Sequence, residues 1–164
     1  MATRSGILLL GSSGTGKGTQ ARLLESALGM HHLDFGNARR TAVETKTAVG
    51  LRLAALGDLV SRGSFFGDNE AADIFEEALR LAGGSSCFVL DGFPRNLEQL
   101  RRLRRQNQID LGAAVLLEAP FETLLERIDG RLAHPSSGRT YHPTLLPPAV
   151  PFRDDISGEP LQPR

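Results

Sequence analysis

Two hydrophobic periods alternate along this chain. Short unbroken apolar runs read as strands at Gly6–Leu10, Cys87–Leu90 and Ala113–Glu118, with a weaker one at His31–Leu33. Between them, apolar residues recur every three or four positions, which is the helix period. Lys17–Leu28 reads as a helix with Leu24, Ala27 and Leu28 on one face and Gly29 as its stop. Asp68 is expected as an N-cap, followed by Ala71, Ile74, Phe75, Ala78 and Leu79 at helical spacing and a stop at Gly83-Gly84. Asn96–Gln108 reads as a further helix. Another begins at Pro120, with Leu124, Leu125, Ile128 and Leu132 along one side. Strands alternating with helices predict an α/β fold: a parallel sheet with helices on both faces. Such sheets bind ligands at the carboxyl ends of their strands.

The pattern lapses after Gly130. His134–His142 is rich in turn residues, and Pro143, Pro147, Pro148 and Pro151 exclude a helix. A small strand-and-turn excursion is expected there. His134 and Ser137 are three apart, as are Asp154 and Ser157. That spacing resembles the two knuckles of a zinc site without its thiolates, so a hydrogen-bonded cluster joining two turns is expected and no structural metal.

Composition narrows the function. The chain has 164 residues, 40% hydrophobic and 5% aromatic, enough for one domain with an aliphatic core. Its formal net charge is zero, so no general field favours nucleic acid or an anionic membrane. The basic run Arg101–Arg105 reads as a solvated face beside a buried edge of Leu100 and Leu103. No apolar stretch approaches a membrane span, and Ile7–Leu10 runs straight into glycine rather than forming a signal peptide. Cys87 is the single cysteine, expected as a small core hydrophobe in a reducing, cytoplasmic setting. His31 and His32 read as structural residues.

The chemistry starts at Gly11-Ser-Ser-Gly-Thr-Gly-Lys-Gly-Thr19, between a strand and a helix. Glycines let backbone N–H groups turn around an anion, and the helix adds its positive end. Lys17 supplies a cation for the outer phosphates, and Thr19 a hydroxyl beside nucleotide-bound Mg2+. Of 19 basic residues only Lys17 and Lys46 are lysine, so a chain that otherwise uses arginine keeps a compact ammonium in this loop. An incidental Gly-rich turn would not set strand, loop, lysine, hydroxyl and helix in this order. A second strand end reads Asp91-Gly92-Phe93-Pro94-Arg95. An acid following a buried strand is the usual second element of a phosphate-loop enzyme, organising Mg2+ and its waters.

Together these segments resemble the adenylate kinase family of nucleoside monophosphate kinases. Gly11–Gln20 is similar to its nucleotide loop, Asp91–Arg95 to its acceptor-site signature, and Gly130-Arg131 with His134–His142 to the start of its LID, with Asp154–Leu161 as the return. The resemblance covers nearly the whole chain. It implies a phosphate-loop three-layer sandwich, with a core at 1–33 and 67–129, an AMP-binding subdomain at 34–66 and a partial LID at 130–164. It also implies a monomer that transfers phosphoryl groups between Mg-ATP and AMP.

The resemblance further implies roles for matching residues. Gly14, Thr15, Gly16, Lys17, Gly18 and Thr19 would hold ATP, with Arg127 and Arg131 on its phosphates and Thr140 and Tyr141 beside its base. Phe35, Gly36, Arg40, Ser64, Phe65, Phe66, Gly92, Phe93, Pro94 and Arg95 would surround AMP, with Gln99 reading the adenine edge. Asp91 would act on Mg2+ through its waters. Lys17, Arg95, Arg127, Arg131 and Arg164 would be catalytic, Arg164 also contacting AMP. Planar bidentate donors suit a reaction that moves charge over phosphoryl oxygens without a general base.

The chain also departs from the family pattern. Ser13 stands where proline is usual, Phe35 where a hydroxyl residue is, and Asn37 where an aspartate organises magnesium. Gly50–Gly63 is a few residues longer. Family members continue past Arg164 with another phosphate-binding arginine, two helices and a final core strand, so the chain is expected to be truncated within the LID. Two alternatives stay open. One is a nucleotide-binding fragment without turnover that acts as a sensor or interaction module. The other is a kinase preferring UMP or CMP, because a pyrimidine-selective pattern carries asparagine after a similar Phe-Pro-Arg-Asn run and Asn96 stands here.

Overall fold

The computed structural model describes residues 4–55, 67–83, 86–107 and 109–163. The chain divides into two compact units, Met1–Leu10 with Lys17–Leu116, and Gly11–Gly16 with Leu117–Arg164.

The first unit is built on four parallel strands in the order β2-β3-β1-β4: β1 Arg4–Leu10, β2 His31–Asp34, β3 Cys87–Asp91 and β4 Ile109–Leu116. Side-chain alternation gives the sheet two apolar faces. Leu8, Leu33, Phe88 and Leu90 join one core with Ile74, Phe75 and Leu79 of helix α4 (Asp68–Leu81) and Leu103 of α5 (Leu97–Asn107). Leu9 and Val89 join the other with Met30 and with Ala21 of helix α1 (Lys17–Leu28). The result is the three-layer α/β arrangement expected from the alternating periods. Two helices that the apolar pattern did not show, α2 (Phe35–Glu44) and α3 (Ala48–Ala55), follow β2 directly. Asp34 starts α2, its carboxylate accepting from the N–H groups of Gly36 and Asn37. Register pairs Asp34 with Asp91, Leu9 with Asp91, and Leu10 with Leu116, so the carboxyl ends of all four strands share one edge.

Several sequence expectations are corrected. Cys87 is exposed rather than buried. It is the first residue of β3, opposite Ser5 at the amino end of the sheet, whereas Phe88, Val89 and Leu90 fill the two faces. Asp68 is not the cap of its helix. Gly67 holds that position, and the Asp68 carboxylate is taken up by tertiary partners. The fourth strand runs from Ile109 to Leu116 and not from Ala113 to Glu118, because Asp110 and Gly112 interrupt the apolar run by which its start was sought.

In the second unit, α6 (Phe121–Asp129) ends at Gly130, so Leu132 leaves the helix face on which it was expected. It enters a three-stranded antiparallel sheet in the order β6-β5-β7, with β5 Leu132–Ala133, β6 Thr140–Tyr141 and β7 Gln162–Pro163. Leu132, Tyr141 and Leu161 form its small core. No helix among the described residues is long and apolar enough to cross a membrane.

Candidate functional site

Among the described residues, those expected on the acceptor side lie within the first unit, at the carboxyl edge of the sheet. Strand β3 ends at Asp91, and the chain turns through Gly92 (φ 82°) and a cis Phe93–Pro94 bond before α5 begins. Phe93 is buried. Its ring stacks on Phe75 at 4.6 Å and on Phe35 at 5.8 Å between centroids. Phe35, the departure from a hydroxyl residue, therefore belongs to an aromatic layer beneath the turn. The Arg95 guanidinium lies over the Phe35 ring, 5.5 Å from its centroid, and its Nε donates to the Gly92 carbonyl at 2.7 Å. An aromatic face and one carbonyl hold the cation while leaving most of its donors for an anion. Arg40 stands on α2 beyond Gly36, with Nη2 donating to Asn37 Oδ1 at 3.4 Å.

Gln99 is buried, and both ends of its amide are engaged. Oε1 accepts from the Arg95 backbone N–H at 2.7 Å, and Nε2 donates to Asp68 Oδ1 at 2.8 Å. Asn96 caps α5, its Oδ1 accepting from the Gln99 N–H at 2.9 Å while its Nδ2 donates to Asp68 Oδ1 at 2.7 Å. These bonds, Asn96 first and then Gln99, hold the Asp68 carboxyl below the usual carboxylate range. Asp68 is the partner of Gln99 that sequence reasoning missed. Its position before an apolar helix made it look like a cap, and nothing local signals a partner 31 residues away.

Lys17, Gly18 and Thr19 form the first turn of α1, which contains no acidic residue of its own. A Cβ built at Gly18 would lie 3.5 Å from Asp91 Oδ2, so the acid at the end of β3 reaches this turn. The same oxygen lies 3.8 Å from His32 Nε2, a buried ring nitrogen.

The second unit holds residues Gly11–Gly16 of the glycine loop. Gly14 and Gly16 have φ of 85° and 94°, conformations that side chains rarely adopt. Thr15 Oγ1 donates to the Ser12 carbonyl at 2.8 Å, and Arg127 Nη1 on α6 donates to the Gly14 carbonyl at 3.0 Å. Arg131 follows the end of α6, its backbone N–H donating to Ile128. Thr140 pairs with Ala133, and Tyr141 is buried with its hydroxyl donating to Asp154 Oδ1 at 3.0 Å.

His134, Ser137, Asp154 and Ser157 do come together. His134 Nδ1 lies 2.7 Å from Ser137 Oγ, and Ser157 Oγ donates to Asp154 Oδ2 at 2.9 Å. Arg139 and Glu159 also belong to this cluster, which the three-residue spacing alone did not reveal. Arg139 grips Asp154, and Glu159 Oε2 lies 2.6 Å from His134 Nε2. Ser64, Phe65, Phe66 and Arg164 lie outside the described residues.

A family model described as adenylate kinase matches residues 9–158. An adenylate kinase of Coxiella burnetii (strain Dugway 5J108-111) is 37% identical over 155 residues, which is 94% of this chain and 65% of the relative. Adenylate kinases of strains RSA 331 / Henzerling II and CbuG_Q212 match at the same 37% identity and the same coverage. The chain thus spans just under two thirds of the length of these relatives. On the family match and on the identity across almost its whole length, the chain belongs to the adenylate kinase family.

Proposed function

We propose that this chain carries the reversible transfer of a phosphoryl group from Mg-ATP to AMP, giving two ADP. The observation that carries the reading is the Asp91–Gln99 segment. It joins an acid, a cation held on an aromatic face and a fixed amide within nine residues of one strand end. In this reading Arg95 and Arg40 bind the acceptor phosphate, and Gln99 reads the base. Lys17, Arg127 and Arg131 meet the donor phosphates, while the glycine loop and Thr19 cradle them. Thr140 and Tyr141 stand beside the donor base, and Ser64, Phe65, Phe66 and Arg164 complete the acceptor side.

The residues fit a nucleotide-borne Mg2+. Among the described residues no cluster of three or more His, Cys, Asp or Glu could cage a metal. Magnesium in such sites needs no cage, since phosphates and waters fill most of its shell, and Asp91 would act on it through those waters. The ion would neutralise charge on the phosphates when bound. The chain's own residues do the rest. Lys17 and the arginines align donor and acceptor phosphates and stabilise charge on the moving group, and no side chain need abstract a proton for an already ionised acceptor phosphate. Closure around both nucleotides would exclude water and suppress ATP hydrolysis.

A coupled assay for ADP formed from ATP plus AMP tests the proposal. Turnover that requires both nucleotides supports it. Tight binding of a bisubstrate dinucleotide without turnover would favour the sensor or interaction-module alternative. Faster turnover with CMP or UMP would reassign the acceptor.

A further inference from the structure

We propose that Asp68 is a positioning residue that fixes the polarity of the Gln99 amide. The acceptor site then selects bases offering an amino donor beside a ring-nitrogen acceptor over bases offering a keto oxygen beside a ring N–H. The proposal rests on the reading of Gln99 as the residue that meets the acceptor base.

A glutamine amide is nearly symmetric in shape, so in an unconstrained pocket it can turn over and present either polarity. Here it cannot. On one side Nε2 meets Asp68 Oδ1 at 2.8 Å, and on the other Oε1 meets the Arg95 N–H at 2.7 Å. An ionised carboxylate only accepts and a backbone N–H only donates. Turning the amide over would press its oxygen against the carboxylate and its NH2 against an N–H, breaking both bonds in a buried place.

Asp68 is itself held. The same Oδ1 accepts from Asn96 Nδ2 at 2.7 Å, and Asn96 Oδ1 accepts from the Gln99 N–H at 2.9 Å, so Asp68, Asn96 and Gln99 close a ring. The lowered Asp68 pKa keeps the carboxylate in its acceptor-only form at neutral pH.

After these bonds the amide retains one N–H and one oxygen lone pair, in fixed order. Adenine matches that order with its N6 amino group beside N1, and cytosine with its N4 amino group beside N3. Hypoxanthine and uracil present the reverse. A site built to bond one polarity rejects the other because its polar groups are left unpaired. The device thus predicts rejection of inosine monophosphate (IMP), a purine of almost the same shape as AMP.

The test is calorimetric titration of the whole chain with AMP and with IMP, followed by Asp68→Asn. The asparagine is isosteric but uncharged, so its hold on Gln99 Nε2 is weaker and only the Arg95 N–H still opposes a turned amide at full strength. The unmodified chain should bind AMP at least about tenfold more tightly than IMP, and in Asp68→Asn the gap should narrow by at least about threefold because IMP binding tightens. A merely structural role would weaken both nucleotides alike, and that result overturns the proposal. Equal affinity for AMP and IMP in the unmodified chain overturns it without any variant. Preference for AMP that persists unchanged in Asp68→Asn overturns the positioning role alone. An unmodified chain that binds neither nucleotide removes the acceptor-site reading, and the proposal with it.

Discussion

Arg139 and Asp154 form a two-pronged ion pair, with Nε donating to Oδ1 at 2.8 Å and Nη2 donating to Oδ2 at 2.6 Å. The pair organises the small antiparallel sheet. Asp154 Oδ2 also accepts from the Ile156 and Ser157 N–H groups at 3.2 and 2.8 Å, and Oδ1 from the Tyr141 hydroxyl. One buried carboxylate thus ties β6 to the returning turn, and planar guanidinium geometry suits the two-pronged grip.

This arrangement sets a pH dependence. Arg139 first, with Ser157 and Tyr141 after it, holds the Asp154 carboxyl well below the usual carboxylate range. A carboxyl whose folded pKa is lowered stabilises the fold at every pH above its unfolded value, about 3.9. That contribution is lost as pH falls from there through the folded pKa. Tyr141 is the chain's only tyrosine, and the chain lacks tryptophan. The tyrosine band of its near-ultraviolet circular dichroism, distinct from that of the eight phenylalanines, therefore reports this sheet, and should hold steady near neutrality and decay only below about pH 4. Arg139→Ala should move the decay upward in pH and lower the melting temperature. A decay centred near pH 6 in the unmodified chain would contradict the assignment to Asp154.

Metal removal should do nothing to this sheet. The His134 nitrogens already meet Ser137 Oγ at 2.7 Å and Glu159 Oε2 at 2.6 Å, and the thiolates that hold zinc tightly are missing. Dialysis against a strong chelator should leave the melting curve unchanged. Stoichiometric zinc whose removal destabilises the protein would sink this reading.

Legibility in the sequence followed the range of the interaction. The strand, glycine loop and helix over Gly6–Leu28 could be read because apolar period, glycines and stop signal are local. Helices α2 and α3 could not, because α2 carries Gly36, Asn37, Arg39 and Arg40 where an apolar stripe would be sought. The Asp34 cap that starts α2 looks like the end of a strand. Asp91 and Arg95 were visible as a strand-end motif. The partners that hold such groups were not: Asp68 reaches Gln99 across 31 positions, and Arg139 reaches Asp154 across 15. Composition also misled for Cys87, since an apolar strand can begin with an exposed residue.

Cys87 therefore supplies a direct check. Its thiol is exposed at the start of β3. An aromatic disulfide reagent should modify about one equivalent in the native state without a lag, and Cys87→Ser should change stability by no more than about 0.5 kcal/mol. A thiol that reacts only in denaturant would restore the buried reading.

Lys17→Met should sharply reduce phosphoryl transfer without unfolding the chain. Lys17 opens α1 and is only partly buried, so the thioether can replace its stem. Losing the proposed electrostatic contact to the moving group should lower kcat by about 10²–10³-fold, or roughly 3–4 kcal/mol. The check is a coupled assay beside a melting curve. Undiminished turnover with an unchanged melting curve would remove Lys17 from the reaction.

Gln99→Ala should separate base reading from phosphate binding. Truncation removes the group proposed to meet the base, and it leaves the Arg95 N–H and Asp68 Oδ1 each short of one partner. Unpaired buried groups cost about 1–3 kcal/mol each, so a modest loss of stability is expected. The Arg95 guanidinium keeps its hold on the Gly92 carbonyl and the Phe35 face, because neither contact passes through Gln99. Phosphate capture should therefore survive. The expected pattern is a Michaelis constant for AMP raised about 5- to 100-fold, with kcat less affected and the preference over UMP narrowed, since the fixed amide also rejects the wrong edge. Inorganic phosphate, which carries no base, should inhibit the variant and the unmodified chain alike. A fall in kcat at unchanged Michaelis constant, with the AMP-to-UMP preference intact, would show that Gln99 only supports the Arg95 turn. Equal or faster turnover of CMP or UMP by the unmodified chain would overturn the adenylate assignment and leave the kinase class standing.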